Sequence, residues 1–314
     1  MKLSLSLQAY KPNRLEMDYR YCEDIIKQNS RSFYYAFLQL PKEKANAVFA
    51  LYAFCRLADD AVDREGNRDE RLEALNALEH ELMLFDEGRE VDHPIWRALR
   101  DVFNRYDMSV EPFYEQLKGQ RMDISFAAPR TMGELEKYSY YVAGTVGLML
   151  LPIVASQSRR NLRQAAIQLG TAMQITNILR DVGEDAARNR IYLPSSFMDA
   201  EAYGESDIRH AVINESFIRI WEKLALRAEE LYDGFKSDIH EFDTDSRFQV
   251  LLSAQIYKGI LNAVRNKGYD CFSTRNAVSK PEMRNIYNQT KHLLQHGSSM
   301  DSYTNAKVKW NGGE

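Results

Sequence analysis

Apolar residues return along this chain at steps of three and four. Leu72, Leu75, Leu78 and Leu82 do so while Glu73, Glu79 and Glu81 take other faces, and Phe217, Trp221, Leu224, Ala228 and Leu231 repeat the pattern. Such spacing predicts amphipathic helices. Pro41, Pro94, Pro112, Pro129 and Pro194 stand where one periodic segment stops or the next starts. Alternating Val, Ile and Thr runs joined by Asn-Gly or Asp-Gly are missing, so hairpins are not predicted. With no Pro/Gly/Ser-rich linker to divide the chain, the expected architecture is one all-α domain over residues 18–294. An extension (1–17) precedes it, and a polar tail (295–314) follows that is expected to be frayed or disordered.

Two segments depart from ordinary amphipathicity. From Ala45 to Cys55 no residue is charged, and then Arg56, Asp59, Asp60 and Asp63 arrive together. Phe49, Tyr52, Arg56, Asp59 and Asp63 are three or four apart, which places them along one helical face. The second segment is uncharged from Ala165 to Leu179 and then reads Arg180, Asp181, Glu184, Asp185. Gln174, Asn177, Asp181 and Asp185 again share a face. A polar stripe on a buried helix must meet a partner, a cavity or an ion, because unpaired buried polar groups are costly. Two such stripes facing each other would set four carboxylates around one cavity, and these cannot all stay ionised without cations. Oxygen-only ligands beside arginine suit Mg²⁺ with a phosphate-bearing substrate, and Arg56 and Arg180 are placed to grip diphosphate. A lone Asp-x-x-x-Asp is usually a solvated face; two, each after an uncharged helix and each beside arginine, are not. A hard-cation cluster at the mouth of an apolar helical cavity is the chemistry of an isoprenyl diphosphate enzyme.

Composition narrows the class without choosing the function. The 314 residues carry 41 Lys plus Arg against 45 Asp plus Glu, a net charge of -4, which argues against a nucleic-acid partner. Three cysteines, Cys22, Cys55 and Cys271, lie far apart and give neither a disulfide framework nor a zinc motif. Reduced thiols and a cytoplasmic location are the simpler reading. The longest apolar run, Val142 to Ala155, contains Gly144, Gly147 and Pro152 and is shorter than the roughly 18 residues of a membrane span. Gly144 and Gly147 lack the order of a dinucleotide fingerprint and are expected to serve close helix packing.

The sequence resembles the squalene/phytoene synthase family, the head-to-head prenyl synthases. The motifs that carry the resemblance run in order: NSRSFYYAFLQLP (Asn29 to Pro41), YAFCRLADDAVD (Tyr52 to Asp63), GQRMD (Gly119 to Asp123), YSYYVAGTVG (Tyr138 to Gly147), QITNILRDVGEDAARNRIYLP (Gln174 to Pro194) and IYKGILNAVRNKGYDCF (Ile256 to Phe272). The resemblance implies an isoprenoid synthase fold around a central cavity. It implies that Asp59, Asp63, Asp181 and Asp185, with Asn177, hold two or three Mg²⁺ ions bridging diphosphate. Ser30, Ser32, Arg56, Arg190 and Arg275 would contact diphosphate oxygens, and Gln174 would lie beside the reacting centre. Tyr138 matches the family tyrosine near the carbocation, with Tyr52 and Tyr257 in the same environment. Without the resemblance, Ser30 and Ser32 read equally as helix caps, Tyr138 as core packing and Asp123 as a structural partner.

Phe33 and Phe37 lie one helical turn apart, and Phe49 starts the first stripe. Large rings at the closed end of a tunnel exclude longer chains, so farnesyl rather than geranylgeranyl diphosphate is the expected substrate. The wording FYYAF and ADDAVD is more similar to bacterial dehydrosqualene synthases than to phytoene synthases. NADPH is then not expected, since the product forms by proton loss rather than hydride capture. A lipophilic product implies peripheral contact with a membrane. Phytoene synthase, NADPH-dependent squalene synthase, a farnesyl diphosphate phosphatase and a non-catalytic prenyl-diphosphate-binding or assembly factor are the alternatives. Both acidic stripes speak against the last.

Overall fold

Caps and prolines set the ends of the helices that the periodicity places. The computed structural model describes residues 13–296, the side chains of Arg31, Ser32 and His296 excepted; most of the predicted polar tail lies outside these residues. Helix α1 (Arg14–Asn29) starts inside the segment expected to precede the domain. It does so because Asn13 accepts the Glu16 amide and the Glu16 carboxylate accepts the Asn13 amide, a reciprocal capping box. There follow α2 (Arg31–Phe37), α3 (Lys42–Asp63), α4 (Arg68–Asp86), α5 (Pro94–Arg105), α6 (Glu111–Ile124) and α7 (Met132–Ser139). A π-helical turn at Tyr140–Gly144 leads into α8 (Thr145–Val154), α9 (Arg163–Arg180), α10 (Val182–Ala187), α11 (Ser195–Ala200) and α12 (Glu205–Arg209). The chain closes with α13 (Glu215–Ser237), α14 (Arg247–Asn266) and α15 (Lys280–His296). No strand occurs among the described residues. Pro41 and Pro194 precede α3 and α11, while Pro94 and Pro112 occupy the first turns of α5 and α6, where a missing N–H costs nothing.

The predicted apolar stripes face inward. Leu75, Leu78 and Leu82 of α4 are buried, as are Phe217, Trp221, Leu224, Ala228 and Leu231 of α13. Helix α3 is buried nearly all round, packing against α1, α4, α5, α6 and α8, and α9 packs against α13, α14, α8 and the π turn. The start of α3 is pinned by Lys44, whose ammonium donates to Asp243 at 2.7 Å and Asp245 at 2.6 Å. Asp243 also accepts the Ser156 and Gln157 amides at 2.9 and 3.0 Å, so one buried carboxylate ties three parts of the chain together.

Glycine sets the distance between α8 and α9. A Cβ on Gly147 would stand 2.4 Å from the Ala166 carbonyl oxygen, and one on Gly170 would stand 2.3 Å from that of Ala143. The expectation of close packing at Gly147 is met. At Gly170 the neighbour is the π turn, whose wider winding brings Val142 and Ala143 to the wall of a central cavity.

Candidate active site

The cavity has a volume of about 610 Å³ and lies among α2, α3, α6, α8, α9 and α14, with the segment from Arg275 to Val278 at one side. Its lining is graded. Val48 and Leu51 come from the first half of α3 and Ala166 and Leu169 from the first half of α9; Asp59, Asn177 and Arg180 come from their last turns. Phe33 and Phe37 form a tilted ring pair at 5.3 Å, and Tyr257 meets Phe33 edge-on at 5.6 Å; all three line the cavity, as do Tyr52, Gln174 and Ser30. Ser30 stands between α1 and α2 without a side-chain capping bond, so the cap reading does not apply to it. Ser32 lies outside the described side chains.

Phe49 is a correction. It is 2% exposed, packs on the ring of Tyr34 at 5.8 Å and does not line the cavity. Steps of three lag a helical turn, so Asp59, ten residues on, sits about 80° around α3 from Phe49. The same drift takes Arg56 off the lining: its guanidinium pairs with Asp60 on the outer side. The second stripe also departs from a continuous helix. Helix α9 stops at Arg180, Asp181 has φ -110 and ψ 21, and Asp185 belongs to α10. The step of four survives because the Asp185 amide still donates to the Asp181 carbonyl at 2.9 Å.

Nor do the four carboxylates converge around the cavity. Of the four, only Asp59 lines it; Asp63 and Asp181 pair with arginines, and Asp185 lines a separate small pocket with Arg190. Asp63 faces Arg188 and Arg190, each at 3.6 Å. Asp181 accepts from Arg180 at 2.8 Å and lies 3.6 Å from Arg275. Among the described residues no three acidic, histidine or cysteine side chains form a ready-made cation cage. Arginines provide counter-charge to Asp63 and Asp181.

The donor set nevertheless fits Mg²⁺ that arrives with a phosphate-bearing substrate, since that ion takes few protein oxygens and completes its shell from phosphate and water. Burial, reinforced by the Asp63 charge, pushes the Asp59 carboxyl up to about 7. Burial, with Asp181 and Glu184 nearby, does the same for Asp185. Both carboxylates therefore lack positive charge despite their arginine neighbours, and Asp59 lies near the negative end of the α3 dipole. Asn177 Oδ1 is buried with no donor, an acceptor in want of a partner. The residues that would hold Mg²⁺ are Asp59, Asp63, Asn177, Asp181 and Asp185.

Helix α6 supplies a polar face of which sequence reasoning singled out only Asp123. Gln116, Gln120 and Asp123 follow at steps of four and three. Gln116 is buried in the cavity wall, Gln120 donates to Asp59 at 2.6 Å, and Asp123 accepts from Tyr138 at 3.0 Å and Tyr192 at 2.8 Å. The signal was their helical spacing within and just before GQRMD. Tyr138 is buried in this cluster rather than on the lining of the large cavity.

A graded helical cavity with two acidic motifs at one end is the setting in which the comparisons fall. A model of the squalene/phytoene synthase family matches residues 26–282. The chain belongs to the squalene/phytoene synthase family. Its members condense prenyl diphosphates head to head, and this protein is an enzyme of that prenyltransferase type. It is 36% identical to the 4,4'-diapophytoene synthase of Staphylococcus haemolyticus over 286 residues, 88% of this chain and 97% of that one. It is 33% identical to the phytoene synthase of Arthrospira platensis over 287 residues, 88% and 93% of the two chains. A crystal structure of a dehydrosqualene synthase in complex with ligand superposes with a TM-score of 0.84 at 42% identity, covering 90% of this chain and 98% of the other.

Proposed function

We propose that the protein joins two farnesyl diphosphates through cyclopropyl presqualene diphosphate to dehydrosqualene (4,4'-diapophytoene), a step of carotenoid biosynthesis. The observation that carries this reading is the graded cavity: polar at the ends of α3 and α9, apolar beyond, with Phe33, Phe37 and Tyr257 packed together on its wall. Its kinship to a 4,4'-diapophytoene synthase supports the same substrate length.

Arg180, Arg275 and Ser30 at the polar end would bind phosphate oxygens, with Arg190 beside Asp63. Bound Mg²⁺ would act as the Lewis acid that makes diphosphate a better leaving group. When the first C1–O bond breaks, apolar walls keep water from the allylic cation, and the ring faces of Phe33, Tyr52 and Tyr257 favour its charge. The C2–C3 double bond of the second chain attacks C1, and loss of a proton closes the cyclopropane. Departure of the second diphosphate lets the ring rearrange to a C1–C1' bond, and loss of a further proton gives the central double bond. No hydride enters, so NADPH has no part in this sequence.

The similarity to phytoene synthases makes geranylgeranyl coupling the second reading; the aromatic cluster favours the shorter chain by exclusion. Competition between the two diphosphates in one vessel tests this, with preferential consumption of the farnesyl substrate expected and the reverse preference contradicting it. No helix among the described residues is long and apolar enough to cross a membrane. The lipophilic product of this reaction would pass to a bilayer by peripheral contact.

A further inference from the structure

Behind Arg190 lies a polar cluster that the reaction scheme leaves without a task. The phenol rings of Tyr138 and Tyr192 stack at 5.0 Å with 27° between their planes. Their hydroxyls lie 3.2 Å apart. Tyr138 donates to Asp123 Oδ2 at 3.0 Å, and Tyr192 donates to Asp123 Oδ1 at 2.8 Å. Each oxygen of one carboxylate thus takes one phenol proton. Phe126 closes the far side edge-on to Tyr192 at 5.1 Å. Arg190 is the nearby positive charge acting on Asp123, and it reaches Asp63 at 3.6 Å. The elements that meet here are the neighbouring α6 and α7 and the segment after α10, whose Tyr192 lies 69 residues along the chain from Asp123.

We propose that Asp123 is a positioning residue for coupling: it holds the Tyr138 hydroxyl in a fixed orientation beside Tyr192 and Arg190 at the edge of the reaction site. A phenol donating to a carboxylate has its proton committed and its oxygen lone pairs turned elsewhere. Its oxygen is also a stronger negative pole than that of a free phenol. A phenol in that state presents electron density to a developing cation and does not offer it a proton. Without Asp123, the two hydroxyls can bond only to each other, so one proton is left free to rotate. Burial of the tyrosine pair makes that loss of definition matter, because water is not at hand to restore it.

This inference rests on the head-to-head coupling reading, so the two are tested in one series. Wild type, Asp123→Asn, Tyr138→Phe and the double variant are assayed with farnesyl diphosphate and Mg²⁺. Presqualene diphosphate and the final hydrocarbon are quantified separately, and melting temperatures are recorded. Asparagine keeps the shape of Asp123 but gives up its charge and one acceptor. The expected result is a fall in kcat of about ten- to a hundredfold with little change in KM, the scale on which orienting groups act. The double variant should be no slower than the slower single one, because Asp123 acts through Tyr138. Asp123→Glu should recover part of the rate. Multiplying losses in the double variant, or a kcat equal to wild type in Asp123→Asn, would overturn the proposal. If Asp123→Asn melts far below wild type, Tyr138→Phe, which removes the hydroxyl that Asp123 holds, is read alone; an unchanged kcat there would also overturn the proposal. Failure of the wild-type protein itself to couple would instead overturn the coupling reading.

Discussion

Replacing Asp59 with asparagine should make the metal-free protein more stable and the enzyme inactive, opposite signs from one substitution. Burial raises the Asp59 carboxyl from 3.8 to about 7, with the Asp63 charge adding to it and Arg56 and Gln120 opposing it. A group raised in the folded state contributes stability that is present in acid and lost as pH rises through about 7. At pH 8 the ionised carboxylate therefore carries a cost with a ceiling of about 4 kcal/mol. Asp59 faces a cavity that solvent enters, so screening lowers the expected figure to about 1–2 kcal/mol. Asn keeps an oxygen for the Gln120 amide and removes the charge. For a chain of this size each kcal/mol moves the melting temperature by about 2–4 °C. Thermal unfolding in a chelator at pH 8 should show Asp59→Asn a few degrees above wild type, with the gap narrowing as pH falls below about 7 and closing only below 3.8. Adding Mg²⁺ and inorganic diphosphate should stabilise wild type and leave the variant nearly unmoved. A variant that melts below wild type at pH 8 without metal, or that couples at a normal rate, would refute the reasoning.

Three further outcomes follow from the packing. Phe37→Ala should open the wall beside Phe33 and shift preference toward geranylgeranyl diphosphate by at least about tenfold, measured as the ratio of kcat/KM for the two substrates. Gly170→Ala sets a Cβ 2.3 Å from the Ala143 carbonyl oxygen, so α9 and the π turn must part at a cost of at least about 1–3 kcal/mol. The urea midpoint should fall with an unchanged slope. Asp243→Ala leaves Lys44 and the Ser156 and Gln157 amides without their acceptor and should cost about 3–5 kcal/mol by chemical denaturation. Lys44 and those donors hold the Asp243 carboxyl below its ordinary range against the opposing effect of burial. Its contribution is therefore present above the usual carboxylate pKa and lost as pH falls, and wild type and variant should converge in stability in acid.

The fold was legible because its helices announce themselves locally. Leu75, Leu78 and Leu82 are buried as their spacing predicts, and the prolines mark helix starts. The uncharged run before Asp59 was legible too, since only a buried helix dispenses with charge for so long. What depends on register between helices was not. Phe49 belongs to the stripe by sequence step, yet accumulated lag turns it onto Tyr34. Arg56 is taken by Asp60, one turn away on the same helix. The Gln116, Gln120 and Asp123 face reads as an ordinary polar stripe until α3 and α7 are packed against it. Even the break at Asp181 leaves no mark in composition, because the i to i-4 bonding continues through it.

Coupling is tested most directly by identifying the product that purified protein makes from farnesyl diphosphate and Mg²⁺ with no NADPH. The account predicts dehydrosqualene, with two inorganic diphosphates released per hydrocarbon formed and no change in yield when NADPH is added. Farnesol alone, or hydrocarbon only when NADPH is supplied, would contradict it.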